Sequence, residues 1–580
     1  MVSTWGPGTQ RPLWWSGNSR LESDCAARIC SALPYRLRCL SMKVPALNLL
    51  LRLVLSSVFF GFGSAAAQAQ QAGKIYPVEE GFVDANGLML SGPRVVSSPE
   101  QRAARYMESV RQQSALLLAF LRAMPKGGDL HSHLFGAIYA ESFIDYAAVD
   151  GLCVDRTTSQ MMTGRCEPCE KYTNKPAVKC AYADHVLYNS MVDAYSMRNW
   201  THGEESGHDH FFASFDKFGP STTGRIGDML AEAASRAAAD HLQYLEVMHT
   251  ADGMNAAALG AKNGWNADFA ALRNQLLDGG LRDIVTSTRQ TLDADEKRRA
   301  ELLHCGTPEA DAGCAVTTRY LYQVLRGLPK EQVFAQILLG YELAKADSRF
   351  VGLNLVMPED WYVPMHDFSL HMKMLAFLRE QYPTVHLSLH AGELAMGLVP
   401  PEGLRFHIRD SVEIAHAERI GHGVSIMRED NATALLKEMA AKNVMVEICL
   451  TSNDVILGVQ GGQHPLHAYR KYGVPVALAT DDEGVSRADM TAEYVRAVED
   501  QGLTYSDLKT MARTSLEHSF LAGKSLWADG NQFQPASACA GDATRTAHAS
   551  AGCETFLKQN DKAATQWRLE QAFSQFEKSF

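Results

Sequence analysis

The chain has 580 residues, 46% apolar and 21% charged, with 55 basic against 66 acidic side chains and a net charge of −11. That composition is globular and excludes a collagen-like, a wholly disordered or a polytopic membrane protein. The acidic balance argues against a protein that coats nucleic acid, which needs a basic face to displace counterions.

Residues 1–69 read as an export segment. Arg11, Arg20, Arg28, Arg36 and Arg38 precede Met42-Lys43, and an apolar stretch over residues 47–62, interrupted by Arg52, ends in Gly63-Ser64-Ala65-Ala66-Ala67-Gln68-Ala69. A basic start, a short apolar centre and a small-residue end form the secretory signal pattern, with an uncleaved membrane anchor as the competing reading. The unbroken apolar core, residues 53–62, is short for a bilayer span. The long basic lead points to translation from Met42. Without residues 1–69 the chain carries 48 basic and 64 acidic side chains, net −16. The expected mature protein is therefore exported, periplasmic or extracellular, and binds neither membranes nor nucleic acid.

Nine cysteines follow: Cys153, Cys166, Cys169 and Cys180 in one cluster, Cys305 with Cys314, Cys539 with Cys553, and Cys449 alone. Local even groups suit four disulfides in an oxidising compartment. A zinc knuckle on Cys166 and Cys169 with Cys153 and Cys180 competes for the first cluster. Cys449, in an apolar run, reads as a buried free thiol.

Residues 70–124 form an N-terminal extension in which Tyr106, Val110, Leu116, Leu117, Phe120 and Leu121 predict a helix over 99–124. Pro125-Lys126-Gly127-Gly128 ends it. From 125 to 524, short apolar runs at 129–134, 242–248, 317–324, 350–356, 385–390, 419–424, 444–450 and 474–480 alternate with helix-length stretches. Eight such runs predict an α/β fold of parallel strands, a (β/α)8 TIM barrel with the helical extension before it. The excursion at 145–212 reads as a disulfide-stapled insert after the first strand. Its His202, His208 and His210 read as solvated loop histidines rather than metal ligands. Residues 525–580 are a C-terminal extension, a tail ending in a helix over 553–580.

The chemistry-bearing residues fall at strand ends. His131 and His133 are two apart, so a strand turns both to one side. His390 is followed by Ala391-Gly392-Glu393, a ligand type beside a carboxyl. His422 lies between Gly421 and Gly423, which admit close backbone approach. Asp481, Asp482 and Glu483 repel one another unless a cation is near. Each motif alone is commonplace; together they sit where barrel enzymes build their sites.

Met124-Pro125-Lys126-Gly127-Gly128-Asp129-Leu130-His131-Ser132-His133-Leu134-Phe135-Gly136-Ala137, His390-Ala391-Gly392-Glu393, Arg419-Ile420-Gly421-His422-Gly423, Thr451-Ser452-Asn453 and Thr480-Asp481-Asp482 together resemble the adenosine deaminase family of metal-dependent amidohydrolases, over residues 124 to 521. The signal segment, the Met-Pro-Lys-Gly-Gly lead and the cysteine insert are more like its secreted, growth-factor-related branch. Residues 211–218 are similar to the family's aromatic segment near the pocket. The resemblance implies Zn2+ held by His131, His133, His390 and Asp481, a water activated by the metal, His422 orienting that water and taking its proton, and Glu393 protonating the purine ring. It implies that Asp482 and the Met357 backbone N–H meet the purine. The Cys166-Glu167-Pro168-Cys169 stretch does not match the other zinc deaminase signature, lacking its preceding proline and H-x-E.

The chain departs from the family pattern at four places. Phe135 stands where many members carry an acid that meets the 5′-hydroxyl, Met357 where glycine is usual, Asn354 for a common aspartate and Leu450 for a common proline. The leading expectation is hydrolysis of adenosine and deoxyadenosine to inosine and deoxyinosine with release of ammonia. The alternatives are a sibling aminohydrolase of adenine or a 5′-modified adenosine, and a non-catalytic nucleoside- or receptor-binding protein. Its partner is then a small purine nucleoside; oligomeric state is not legible.

Overall fold

Parallel strands follow one another in chain order around the computed structural model, which describes residues 97–580 other than 170–172, 204 and 543–547. They are β1 (Gly127–His133), β2 (Leu242–His249), β3 (Thr317–Leu325), β4 (Phe350–Val356), β5 (His386–Ala391), β6 (Arg419–His422), β7 (Met445–Ile448) and β8 (Val476–Leu478). Each pairs in parallel with the next. The ring returns to β1 through a bridge between Ser132 and Asp481. There Asp481 N–H donates to the His131 carbonyl (2.9 Å) and His133 N–H to the Asp481 carbonyl (3.1 Å). The architecture is a (β/α)8 barrel. The export segment and Met42 lie outside the described residues.

The strands are continuous apolar runs because helices cover their outer faces and side chains fill the inside. In β4 every residue except Val351 is buried. The helix Lys330–Ala346, joining β3 to β4, has ten buried positions. One is Gln336, whose Oε1 accepts Leu325 N–H (3.0 Å) and ties helix to strand. At the C-terminal ends the pleat breaks: Met357, His422 and Asp481 take positive φ (87°, 65° and 60°). Left-handed backbone at non-glycine residues costs energy and clusters at functional sites.

Two local expectations change. The 99–124 helix is two helices, α1 (Pro99–Val110) and α2 (Ser114–Ala123). Ser98 and Gln101 cap the start of α1 reciprocally. At the junction the Arg111 guanidinium donates to the Val498 and Leu503 carbonyls (3.0 and 2.9 Å), and Gln113 leaves helical geometry; a long-range tether overrides the local period. The tail helix likewise divides, into Ala551–Lys558 and Asp561–Glu577. Between them Asn560 Oδ1 accepts Lys524 N–H (2.7 Å). The second tail helix packs on the N-terminal pair, with Phe576 5.1 Å from the Phe120 ring centroid.

The excursion after β1 is a disulfide-stapled insert with its own secondary structure. It holds α3 (Ala140–Val149), a small ribbon of Cys153–Val154 with Met161–Met162, α4 (His185–Ala194) and α5 (Gly207–Phe218). Cys153 pairs with Cys166 and Cys169 with Cys180, which removes the zinc-knuckle reading. Cys305–Cys314 and Cys539–Cys553 are also disulfides, and Cys449 is a buried free thiol. Among the described residues no helix is long and apolar enough to cross a membrane.

Candidate metal and catalytic site

Barrel closure brings the two ends of the sheet together at one point. His131 and His133, on the same side of β1, meet His390 at the end of β5 and Asp481 just beyond β8. One ligand atom from each of the four lies within 4.8 Å of the others. His390 Nε2 is 3.1 Å from His131 Nε2 and 3.2 Å from His133 Nε2. Asp481 Oδ1 is 3.4 and 3.2 Å from the same two nitrogens.

The other ring nitrogens decide what faces this point. His131 Nδ1–H donates to Glu447 Oε2 (2.6 Å), His133 Nδ1–H to Gln323 Oε1 (3.0 Å) and His390 Nδ1–H to Asn354 Oδ1 (2.7 Å). With hydrogen on each Nδ1, three Nε2 lone pairs converge beside a carboxylate. Such a set repels itself unless a cation lies among it, and three imidazoles with one carboxylate suit a divalent transition metal. Asp481 Oδ1 accepts no hydrogen bond, while Oδ2 receives the Ser452 hydroxyl. The four side chains thus fit the metal that the motifs imply.

The supports reach across the barrel. Glu447 also takes the Ser388 hydroxyl (2.8 Å) and pairs with Arg419 (2.7 Å), itself fully buried and paired with Glu246 (2.5 Å). Gly421 has to be glycine here: a Cβ would lie 2.5 Å from His131 Cε1.

Glu393 and His422 complete the cluster; one atom each from Glu393, His422 and Asp481 also falls within 4.8 Å. Burial and the nearby Asp481 carboxylate push the Glu393 carboxyl well above its usual range, which favours its protonated form. Burial pushes His422 down to about 3. Its Nε2 is buried without a partner, and its Nδ1 receives the Asn453 amide (3.0 Å). Asp482, raised to about 7 by burial and by Asp481, has an unpartnered Oδ1. A Cβ at Gly136 would overlap its carboxyl, so that glycine makes the room.

The turn that presents Glu393 is clamped from below. Glu359 is fully buried; its Oε1 accepts Gly392 N–H (3.0 Å) and the His407 ring, and its Oε2 accepts Glu393 N–H (2.8 Å). Arg326 donates to the His390 carbonyl (3.0 Å) and twice to the Met357 carbonyl (3.2 and 3.1 Å). Met357 folds its side chain over Gly327, where a Cβ would come 2.8 Å from Met357 Cε. Phe135 is half-buried, its ring 6.1 Å from that of His249.

The insert histidines do not join the cluster, and two are not loop residues. His208 and His210 lie on α5. His208 bridges Asp209 and Asp360 (2.9 Å each), and His210 Nε2–H is shared by the Asp193 and Ser196 carbonyls (3.1 Å each). Helix packing takes them out of solvent; His202 stays exposed beside Asp454 (3.1 Å).

A family model described as Adenosine deaminase matches residues 192–526, more than half of the chain. The chain belongs to the adenosine deaminase family. The match opens inside the insert, so His131 and His133 precede it and reach the site by pairing β1 with the far end of the sheet. An adenosine deaminase of Clostridium perfringens strain ATCC 13124 is 34% identical over 181 residues, 31% of this chain and 51% of that protein. One from Vibrio vulnificus strain CMCP6 is 28% identical over 221 residues, 37% of this chain and 60% of that protein. The chain thus spans about half the length of the curated relatives it matches. A solved N6-methyl-AMP deaminase from Arabidopsis thaliana is 19% identical with a TM-score of 0.44, covering 70% of this chain and 94% of that one.

Glu447, Gln323, Arg326 and Glu359 carry no local spacing that marks them. The usable signal is a charged residue inside a run that is otherwise apolar, as Glu447 is in β7, because such a charge must be paired.

Proposed function

We propose that the protein hydrolyses adenosine and deoxyadenosine at the exocyclic amine, yielding inosine or deoxyinosine and ammonia, and that His131, His133, His390 and Asp481 hold Zn2+. The observation that carries this is the convergence of three imidazole nitrogens and a carboxylate beside the buried Glu393 carboxyl, in a chain of the adenosine deaminase family. Zinc bound there lowers the pKa of water toward neutrality and acts as a Lewis acid.

The chain's own residues supply the rest. Glu393 gives its proton to the purine ring nitrogen beside the attacked carbon, which makes that carbon electrophilic. His422 orients the attacking water. Asp482, kept protonatable by burial, meets the other ring edge. The Glu359 and Arg326 contacts hold Glu393, His390 and Met357 in register, with the Met357 backbone N–H placed at the purine. The four disulfides suit an oxidising compartment, which supports export.

A second reading is favoured by Phe135. Its ring faces His249, which burial pushes down to about 4, so position 135 itself supplies no acid to a 5′-hydroxyl. A 5′-modified adenosine, or free adenine, then competes as substrate. A binding protein without catalysis is disfavoured because all six reacting side chains are assembled. Ammonia release from adenosine, deoxyadenosine, adenine and methylthioadenosine separates these. Turnover of adenosine supports the first reading, preference for methylthioadenosine or adenine the second, and binding without turnover the third.

A further inference from the structure

We propose that Asn453 and His464 are positioning residues that hold His422 in the tautomer with its hydrogen on Nε2. The relay has a fixed origin. A backbone N–H can only donate, and Leu466 N–H donates to His464 Nδ1 (3.2 Å). That nitrogen is therefore bare, and the neutral ring carries its hydrogen on Nε2. Burial keeps the ring neutral, with a pKa of about 4. His464 Nε2–H then donates to Asn453 Oδ1 (3.0 Å). This decides which way the amide faces, so Asn453 Nδ2 donates to His422 Nδ1 (3.0 Å). A neutral imidazole that accepts at Nδ1 has its hydrogen on Nε2.

All three side chains are fully buried. Asn453 is fixed in the helix Leu450–Leu457 that leaves β7, and His464 lies just before the helix Leu466–Lys471. The polarity is opposite to that of the metal-site histidines. His131, His133 and His390 each face an oxygen acceptor with Nδ1, which bares Nε2; His422 Nδ1 accepts from the Asn453 amide at 3.0 Å, closer than Glu393 Oε1 at 3.7 Å, which leaves the ring's hydrogen on Nε2. Second contacts thus sort four clustered imidazoles into three ligands and one donor.

The chemical consequence rests on the deaminase reading. His422 Nε2 is the nitrogen that no protein group satisfies. Bearing a hydrogen, it donates to the oxygen that adds to the purine and stabilises charge there. It therefore does not begin as the proton acceptor at that atom: in this proposal the proton that water loses passes to the Glu393 carboxylate left once the ring is protonated, and from there to the departing amine, and the adduct's hydroxyl proton restores the Glu393 acid.

Neutron diffraction from deuterium-exchanged crystals of the zinc-loaded full chain reads the tautomer directly. The expected map has deuterium on His422 Nε2 and none on Nδ1; the reverse pattern overturns the assignment. Kinetics give a second test. Asn453→Asp presents an acceptor to Nδ1 and reverses the tautomer. It is expected to lower kcat about 100-fold, the cost of one oxyanion donor, with little change in KM. Wild-type kcat in that variant overturns the proposal. His464→Gln keeps a donor for Asn453 and should retain far more activity than His464→Leu; equal losses contradict the relay. If deuterium lies on Nε2 but no adenosine-type compound is turned over, the deaminase reading fails and the tautomer stands.

Discussion

In the proposed reaction Glu393 brings the proton that the purine ring receives, and the four ligands bring the charge that water answers to. Glu393→Gln keeps the shape and removes the acid. It is expected to lower kcat by at least about 100-fold, the lower end of what a positioned general acid contributes, with zinc content unchanged by elemental analysis. Wild-type turnover in that variant would remove the carboxyl from the chemistry. Glu447→Gln acts one contact further out, by weakening the hold on His131. Losing such a partner typically costs about 10–100-fold in metal affinity, readable by competition with a chromogenic chelator. These ligands were legible because two-residue spacing on a strand and a histidine at a strand end are local patterns. Their orienting partners were not: strand pairing sets Asn354 of β4 beside His390 of β5, while Glu447 of β7 and Gln323 of β3 reach β1 only across the closed barrel.

At the scale of elements, all eight strands are legible because a parallel strand buried on both faces writes itself as an apolar run; β6, β7 and β8 are shorter than their apolar runs 419–424, 444–450 and 474–480. What escaped were departures enforced from a distance, as Arg111 does between α1 and α2 and Asn560 in the tail. The clamp under the β5 turn is of the same kind. Burial raises the Glu359 carboxyl, but His407, Arg326 and the Gly392 N–H more than offset it, leaving a pKa of about 2. A folded pKa below the unfolded value stabilises the fold above that unfolded value of 4.5, and this share is lost as pH falls toward 2. Glu359→Gln is expected to lose that acid-limb contribution, flattening the fall of unfolding free energy below pH 4.5, and to lower kcat by loosening the Glu393 turn. An unchanged acid limb would show that the carboxylate contributes nothing through its charge.

Across the whole molecule, the additions to the barrel lean on covalent staples and on one another. The Cys539–Cys553 bridge closes a loop of sequence separation 14, and Cys553 is fully buried. Loops of that size are stabilised by about 3 kcal/mol through restriction of the unfolded chain. Replacing both cysteines by serine should lower the urea midpoint accordingly and steepen the slope, because the uncrosslinked unfolded chain exposes more surface. The second tail helix packs on α1 and the helix Tyr505–Glu517 and also touches β2, none of which carries the bridge, so kcat should survive that change; a large loss of kcat in the folded variant would tie the tail to the site.

The central claim is that one divalent ion, gripped by His131, His133, His390 and Asp481, makes this chain a deaminase. The most direct measurement follows the ultraviolet change from adenosine to inosine and the zinc content of the same purified sample, before and after chelation. The account predicts about one zinc per chain, as a single such ligand set binds, with turnover lost on chelation and restored by zinc. Full turnover in material free of any metal would contradict it.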